Sequence, residues 1–319
     1  MKAAIITAMR QADNRPGARN TPCAGKKLFF DIRSCATLSR LSPNCSTAGI
    51  RQLMSSTTLT GIIALLLYVG TLALQRRSIN LGTARSSTRT GTLVTGFLGV
   101  TAHFFSAGSL IYRDEAYHFG ITEVSTLIFA SITLLTLLSN LRRPAGSLIL
   151  AALPLAMLSI LFSISVQSTY PPQHIASGIA AHVILSIIAY SLFSLAALQS
   201  LFLAFQNHQL KHHHVVRVMR LFPPLQDMER LLFELLWAAQ ILLSMAVVAG
   251  FVYVSDFGAQ GLAHKMFFSL LAWVVFTVLL VGRHLLGWRG NTAIKGTLTG
   301  FGLLLLGFYG SKFVLEFIL

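Results

Sequence analysis

The stretch Ile175–Phe205 constrains the fold of this chain more than any other part of its sequence. Its 31 residues, IASGIAAHVILSIIAYSLFSLAALQSLFLAF, contain no Lys, Arg, Asp or Glu. As an α-helix the stretch would be ~46 Å long at 1.5 Å per residue, whereas the hydrocarbon core of a bilayer is ~30 Å thick. The sequence therefore predicts a membrane-spanning helix that tilts or projects beyond one face of the membrane.

Seven further apolar runs occur along the chain. They are Leu59–Leu74, Leu93–Tyr112, Ile121–Leu141, Ser147–Val166, Leu231–Val254, Lys265–Val281 and Gly296–Phe317. Only 11% of the residues are charged and 54% are hydrophobic, whereas about 25% of the residues of a soluble globular protein are charged. We therefore predict an all-α polytopic membrane protein, a bundle of eight transmembrane helices embedded in the lipid bilayer.

The basic residues of the connecting segments predict the orientation of this bundle. After residue 53, thirteen Lys and Arg residues follow the first, third, fifth and seventh runs, and three, Arg113, Lys265 and Lys312, belong to the opposite face. Cytoplasmic loops carry such an excess of basic residues, so both ends of the membrane body are expected on the outer side of the membrane. The net charge of +15 is then a topology signal, and no nucleic-acid binding is predicted.

Residues 1–53 differ in composition from the membrane body that we assign to residues 54–319. They hold nine of the 25 Lys and Arg residues and all three cysteines, Cys23, Cys35 and Cys45. Their apolar run AAIITAM is too short for a signal peptide, although an Arg-rich, acid-poor segment also fits an organelle transit peptide. We expect a disordered basic extension, and we favour a translation start at Met54 because a basic tail would otherwise lie on the outer side.

Three histidines, His103, His182 and His264, fall within or at the outer ends of the predicted spans. An imidazole inside a membrane normally faces a cavity or a partner. The helical rise puts His103 ~13 Å and His182 ~10 Å from the outer ends of their helices. Neutral imidazole is a common ligand of haem iron, so these residues are candidate haem ligands. In the alternative, each bonds a carbonyl, Ser or Thr of a neighbouring helix, and a proton relay would need more buried carboxylates than Glu123.

The connection between the fifth and sixth runs contains a tract of histidines, His208 and His212–His214. Because it has no cysteine or carboxylate nearby, we interpret it as a solvated loop. After Pro223–Pro224, the segment LQDMERLLFELLW has apolar residues at helical spacing and predicts an interfacial helix leading into the sixth span. No P-loop, G-x-G-x-x-G, H-E-x-x-H or nucleophile elbow occurs in the chain, so no enzymatic activity is predicted.

Three segments, read in order, carry a resemblance to a known family. They are AAHVILSIIAYSLFSLAALQSLFLAF, FPPLQDMERLLFELLW and HKMFFSLLAWVVFTVLLVGRHLLGWRGNTAIKGTLTGFGLLLLGFYGSKFVLEFIL. They resemble the cytochrome c assembly protein family, above all its small eight-helix bacterial branch of YpjD-like or HemX-like proteins. The likeness covers Met54–Leu319. It implies a haem-handling inner-membrane protein that works with haem-delivery or cytochrome maturation proteins.

The resemblance also implies roles for single residues. In larger members of the family, a histidine at the outer start of a long helix helps to hold haem, and His182 occupies the matching position. Those members present haem through a tryptophan-rich outer segment, whereas the aligned stretch Gly261–Met266 has no tryptophan and contains His264. A further family histidine aligns near Val281, three residues before His284. The resemblance thus implies haem binding by His182 and a second imidazole rather than haem attachment to an apocytochrome.

Two other functions fit the same sequence. A non-haem membrane scaffold or regulator would use its histidines as structural groups and would bind no cofactor. A small-solute transporter is disfavoured because the chain does not divide into two halves related by repeated, Gly- or Pro-broken spans. An absorption spectrum of the solubilised protein distinguishes a haem protein from a non-haem scaffold.

Overall fold

The structure is a computed structural model, and it describes residues 46–80, 86–113, 116–142, 146–166, 177–211, 223–253 and 262–310. The chain divides into two units, Met1–Arg51 and Gln52–Leu319. Residues 1–45, which make up most of the segment that was expected to be disordered, lie outside the described residues. Residues 46–53 belong to the first helix.

Eight helices of the described residues are long and apolar enough to cross a membrane. They are α1 (Ser46–Asn80), α2 (Ser86–Ile111), α3 (Ile121–Arg142), α4 (Gly146–Ser165), α5 (Ser177–Lys211), α6 (Leu225–Tyr253), α7 (Leu262–Leu285) and α8 (Asn291–Leu305), the last continued by a π-helical turn at Leu306–Gly310. A two-stranded antiparallel hairpin, β1 (Tyr112–Arg113) and β2 (Ala116–Tyr117), joins α2 to α3. The prediction of an all-α polytopic membrane protein with eight transmembrane helices is therefore confirmed.

The connection between α5 and α6 is shorter than the sequence pattern suggested. Helix α5 continues to Lys211, so that His208 lies in its last turn, and His212–His214 fall outside the described residues. Helix α6 begins at Leu225 and runs unbroken to Tyr253. The predicted interfacial helix is thus the first part of α6. Its apolar face packs on α5 rather than on the lipid surface, and Met228 is fully buried there.

The buried side chains form two main groups along the bundle. The first lies among α1, α2, α3 and α4 and includes Tyr68, Val100 and Leu153. The second lies mainly among α5, α6, α7 and α8 and includes Phe193 and Phe276. A smaller cluster of residues from α3, α4 and α5 connects these two groups. Large apolar side chains elsewhere on the helices are exposed, and in a bilayer these surfaces face lipid.

The two ends of the bundle differ in charge. At one end, which we call the arginine end, Arg89 of α2 donates to the carbonyl oxygens of Asn140 and Leu141 at the end of α3, at 2.9 and 3.2 Å. At the same end Arg283 of α7 donates to Glu229 of α6 at 2.7 Å. The opposite end carries the β1–β2 hairpin, and we call it the hairpin end.

Helices α7 and α8 approach each other closely at Gly300. A Cβ atom on Gly300 would lie 2.6 Å from Cζ of Phe276, and the Phe276 ring stacks on Phe193 with 4.0 Å between the centroids. Small residues allow such close packing between membrane helices. Two residues further along α8, a Cβ on Gly302 would meet nothing within 4 Å.

We therefore expect Gly300→Ala to lower the free energy of unfolding by about 1–3 kcal/mol, because the added methyl group overpacks the Phe276 ring. Gly302→Ala is the matched control, since it makes the same change in open space and should be neutral or slightly stabilising. Thermal unfolding of both variants in detergent measures the difference. Equal midpoints for the two variants would contradict the close packing of α7 on α8.

Candidate functional site

A cavity of about 420 Å³ lies at the hairpin end among α3, α5, α6, α7 and the π-helical turn that follows α8. Most of its wall is apolar, including Val124 and Ile128 of α3 and Leu243 and Val247 of α6. The volume lies in the range of small-molecule and cofactor sites, ~300–1,000 Å³. The polar side chains in its wall are His182, Ser186, Tyr190, Lys265 and Ser269.

His182 lies in the cavity wall and is held by a hydrogen bond across the α5–α6 contact. Its Nδ1 is 2.7 Å from the carbonyl oxygen of Ala246. Because a carbonyl oxygen can only accept, Nδ1 carries the proton in this bond, and Nε2 keeps its lone pair. Histidines that bind metals usually donate their other ring N–H to a carbonyl or carboxylate in this way. The arrangement thus prepares Nε2 to act as a ligand atom.

Gly250 of α6 makes room for the His182 ring. A Cβ atom at this position would lie 3.1 Å from Cε1 and 3.2 Å from Nδ1 of the imidazole. Such distances are tighter than ordinary van der Waals contact, so a larger residue would displace the ring. The orientation of His182 therefore depends on two positions of α6, Ala246 for the hydrogen bond and Gly250 for the space.

Helical spacing puts further polar groups on the same face of α5 as His182. Ser186 follows after four residues and Tyr190 after eight, and residues at this spacing lie above one another on a helix. The hydroxyl of Tyr190 is buried and has no hydrogen-bond partner among the described residues. An unpaired buried hydroxyl costs free energy, so this group in the wall can gain from a polar contact with a ligand.

Lys265 of α7 supplies a positive charge to the cavity wall. The ion pairs within the described part of the chain join Arg230 to Glu234 and both Arg283 and Arg289 to Glu229, and Lys265 takes part in none of them. From the sequence, Lys265 was counted only among the basic residues of the outer face. Its place in the first turns of an apolar span, next to His264, is the signal that could have identified it.

The π-helical turn after α8 closes one side of the cavity. It brings Gly307 and Phe308 into the wall, and the hydroxyl of Tyr309 lies 3.0 Å from Oγ of Ser125 on α3. A Cβ atom on Gly307 would lie 3.0 Å from Cβ of Phe268 on α7. A π turn within a helix frequently marks a functional site, and here the turn packs against α3 and α7.

His103 lies in the other group of buried side chains. It is fully buried, and its Nδ1 is 3.1 Å from the hydroxyl oxygen of Tyr68 on α1. The two rings meet edge to face with 5.8 Å between the centroids. The Nε2 atom has no hydrogen-bond partner in the described part of the chain. His103 is not among the residues that line the cavity of His182, so the structure does not bring these two predicted ligands together.

The remaining histidines named in the sequence analysis have different positions. The backbone of His264 lies in the first turn of α7, one residue before Lys265, but its side chain is outside the described part. His284 lies at the arginine end, with 5.7 Å between its ring centroid and that of Trp237. Within the described residues, no group of three or more His, Cys, Asp or Glu side chains could hold a metal ion.

These positions define the class of protein: a polytopic helical membrane protein with an apolar cavity, lined by a histidine, at one end of its bundle. A family model described as "Cytochrome C assembly protein" matches residues 92–319. The chain therefore belongs to the cytochrome c assembly protein family, and the resemblance noted from its sequence is confirmed. The matched residues include every residue that lines the cavity.

Two relatives illustrate this similarity. The chain is 26% identical to the inner membrane protein YpjD of Escherichia coli K12 over 234 residues, which are 71% of this chain and 87% of the relative. It is 30% identical to a 28.8 kDa protein from the nifR3-like 5′ region of Azospirillum brasilense over 243 residues, which are 74% of this chain and 88% of the relative. No solved structure matches the chain significantly.

The contact between Tyr68 and His103 generates a prediction about stability. We expect Tyr68→Phe to lower the free energy of unfolding by about 1–3 kcal/mol, because the buried imidazole loses this hydrogen bond. Thermal unfolding in detergent measures the change, and Tyr112→Phe in the exposed hairpin serves as the control. An unchanged midpoint for Tyr68→Phe would mean that the hydrogen bond does not stabilise the α1–α2 contact.

Proposed function

We propose that this chain is a haem-binding inner-membrane protein of cytochrome c assembly, with the haem in the hairpin-end cavity and His182 as an axial ligand. The observation that carries the proposal is the hydrogen bond from His182 Nδ1 to the carbonyl oxygen of Ala246 at 2.7 Å. This bond leaves Nε2 as the nitrogen that can bind iron, as in other metal-ligating histidines. Membership of the cytochrome c assembly protein family supports haem as the ligand.

The other residues of the cavity fit a porphyrin. Its apolar wall suits the hydrophobic faces of the macrocycle. The unpaired hydroxyl of Tyr190 and the charge of Lys265 offer polar contacts. Haem would supply the iron centre in this site, and the protein would hold and orient it. We propose no catalytic step for the side chains themselves.

The second axial ligand is a separate part of the proposal. His264 remains the candidate, because its backbone lies one residue before Lys265, which lines the cavity. For His103 the contacts support a structural role, since the residue is fully buried against Tyr68 between α1 and α2. Iron bound by a histidine and a second ligand would give different absorption spectra, in the oxidised and the reduced protein, from iron bound by a histidine alone.

The charges of the bundle support an orientation. We propose that the arginine end faces the cytoplasm, because cytoplasmic connections of membrane proteins are rich in Lys and Arg. The cavity would then lie in the periplasmic half of the membrane, where cytochrome maturation proteins or haem-delivery proteins could reach it. The name of the Escherichia coli relative, inner membrane protein YpjD, supports an inner-membrane location for this chain.

One observation favours a second candidate function. The bond between His182 and Ala246 also joins α5 to α6, so it would serve equally in a non-haem scaffold or regulator with structural histidines. In that case the protein would stay colourless after expression with excess haem. His182→Ala would then lower the unfolding temperature without changing any absorption band.

Replacing His182 with Ala tests the haem proposal directly. We expect the purified wild-type protein to show a Soret band and His182→Ala to lose it, because the iron loses its imidazole ligand. His208→Ala is the matched control, since His208 lies in the last turn of the same helix at the arginine end. A full, unshifted Soret band in His182→Ala would contradict the assignment of this residue.

Gly250→Ala tests the same site without removing the imidazole. The added methyl group would displace the His182 ring from its position, and we expect the haem affinity to fall by about tenfold, as for other changes in the surroundings of a metal ligand. Gly302→Ala is the control, because its Cβ meets open space. Titration of the apoprotein with haem, followed by absorbance, measures both affinities. An unchanged affinity in Gly250→Ala would show that haem binding does not depend on the position of this ring.

A further inference from the structure

The proposed function does not account for the positive charge of Lys265 in the cavity wall. Its side chain lines the wall of an apolar cavity, where a charged ammonium group costs free energy unless an anion or hydrogen-bond acceptors accompany it. None of the ion pairs of the described residues involves it. The other polar side chains of the wall, His182, Ser186, Tyr190 and Ser269, supply no carboxylate. Among the described residues, Lys265 therefore forms no ion pair with an anion.

The position of Lys265 in the bundle suggests where such an anion would come from. Lys265 lies three residues after the start of α7, at the hairpin end of the bundle. A lysine near the end of a membrane helix extends its ammonium group toward the polar interface. His182 of α5 lines the same cavity. A ligand that reaches both residues would have an apolar body for the cavity and an acidic group for its mouth.

We propose that Lys265 binds a carboxylate of the haem, one of its two propionate groups. This assignment rests on the proposed function and adds to it the residue that recognises the acidic edge of the ligand. Haem combines an apolar macrocycle, an iron that binds imidazole and two carboxylates at one edge. Binding to His182 at the iron and to Lys265 at a propionate would fix the macrocycle in the cavity in one orientation.

The proposal predicts a preference for free carboxylates. We expect wild-type protein in phosphatidylcholine nanodiscs to bind iron protoporphyrin IX about tenfold more tightly than its dimethyl ester, because the ester cannot form a charged hydrogen bond with Lys265. In Lys265→Met the preference should disappear, since Met keeps the length of the side chain and loses its charge. In Lys265→Arg it should persist.

The matched control is Lys295→Met. Lys295 is an exposed residue near the start of α8, outside the cavity, so this variant should keep the full preference. It also corrects for the different partition of the two porphyrins into the membrane, because that partition is the same for every variant. The comparison of two ligands with two variants isolates the contribution of the carboxylate to binding at Lys265.

The possible outcomes separate this inference from the proposed function. If the wild-type protein binds both porphyrins equally well, the assignment of Lys265 is overturned and haem binding stands. If it binds neither, the proposed function fails and the inference with it. A preference that disappears when the nanodiscs contain phosphatidylglycerol would mean that Lys265 binds the phosphate of a lipid headgroup, which also overturns the assignment. The first two outcomes are measured on the wild-type protein alone, so the test does not depend on the folding of Lys265→Met.

Discussion

The contact between α5 and α6 is the interaction on which the rest of this structure depends. Three side chains of α5 donate hydrogen bonds to backbone carbonyl oxygens at or near α6: Gln206 to Pro223 at 3.2 Å, Gln199 to Met228 at 3.0 Å and His182 to Ala246 at 2.7 Å. They are distributed from the arginine end to the hairpin end. Between apolar helices in lipid there is no hydrophobic driving force, so packing and such polar contacts set the register. The register in turn fixes the His182 ring over Gly250.

The candidate site contains polar groups that the described residues do not satisfy. Elsewhere, hydroxyl groups such as Thr126 and Thr136 bond carbonyl oxygens one turn back in their own helix. In the cavity wall, Tyr190 has an unpaired hydroxyl and Lys265 has no ion pair among the described residues. Unsatisfied buried groups are expensive in a membrane, and they also occur outside the cavity, at His103 Nε2, Gln206 Oε1 and Gln240 Oε1. In the cavity wall, however, Tyr190 and Lys265 lie together with a preoriented imidazole.

The sequence was sufficient to predict eight spans and the helical position of His182, because hydrophobicity and helical rise are local properties. It was not sufficient to predict which helices meet. His103 and His182 were expected at similar depth, yet His103 packs against Tyr68 while His182 lines the cavity, since lateral position depends on the arrangement of the whole bundle. A helix from Leu225 into the sixth span was predicted, but its packing on α5 was missed for a similar reason. The apolar face of an amphipathic segment can pack on lipid or on a neighbouring helix, and the sequence of the segment does not determine which of the two it contacts.

Tyr190 illustrates what a closer use of the same sequence could have found. Its spacing of eight residues from His182 puts both on one face of α5. Helical geometry therefore predicts that the two residues line the same side of the site. That the Tyr190 hydroxyl lacks a hydrogen-bond partner could not be predicted from the sequence. It depends on Phe301 of α8 and Phe308 of the π-helical turn, whose apolar rings pack against the Tyr190 ring.

The surroundings of the two histidines differ in how they relate to the range of the family match. The match begins at residue 92, within α2, and includes every residue of the cavity wall. Tyr68, which bonds His103, lies on α1 before the matched range. The surroundings of His182 are thus built wholly from the part of the chain that defines the family, while those of His103 depend on a helix outside it. This difference agrees with the proposed ligand-binding role of His182 and the proposed packing role of His103.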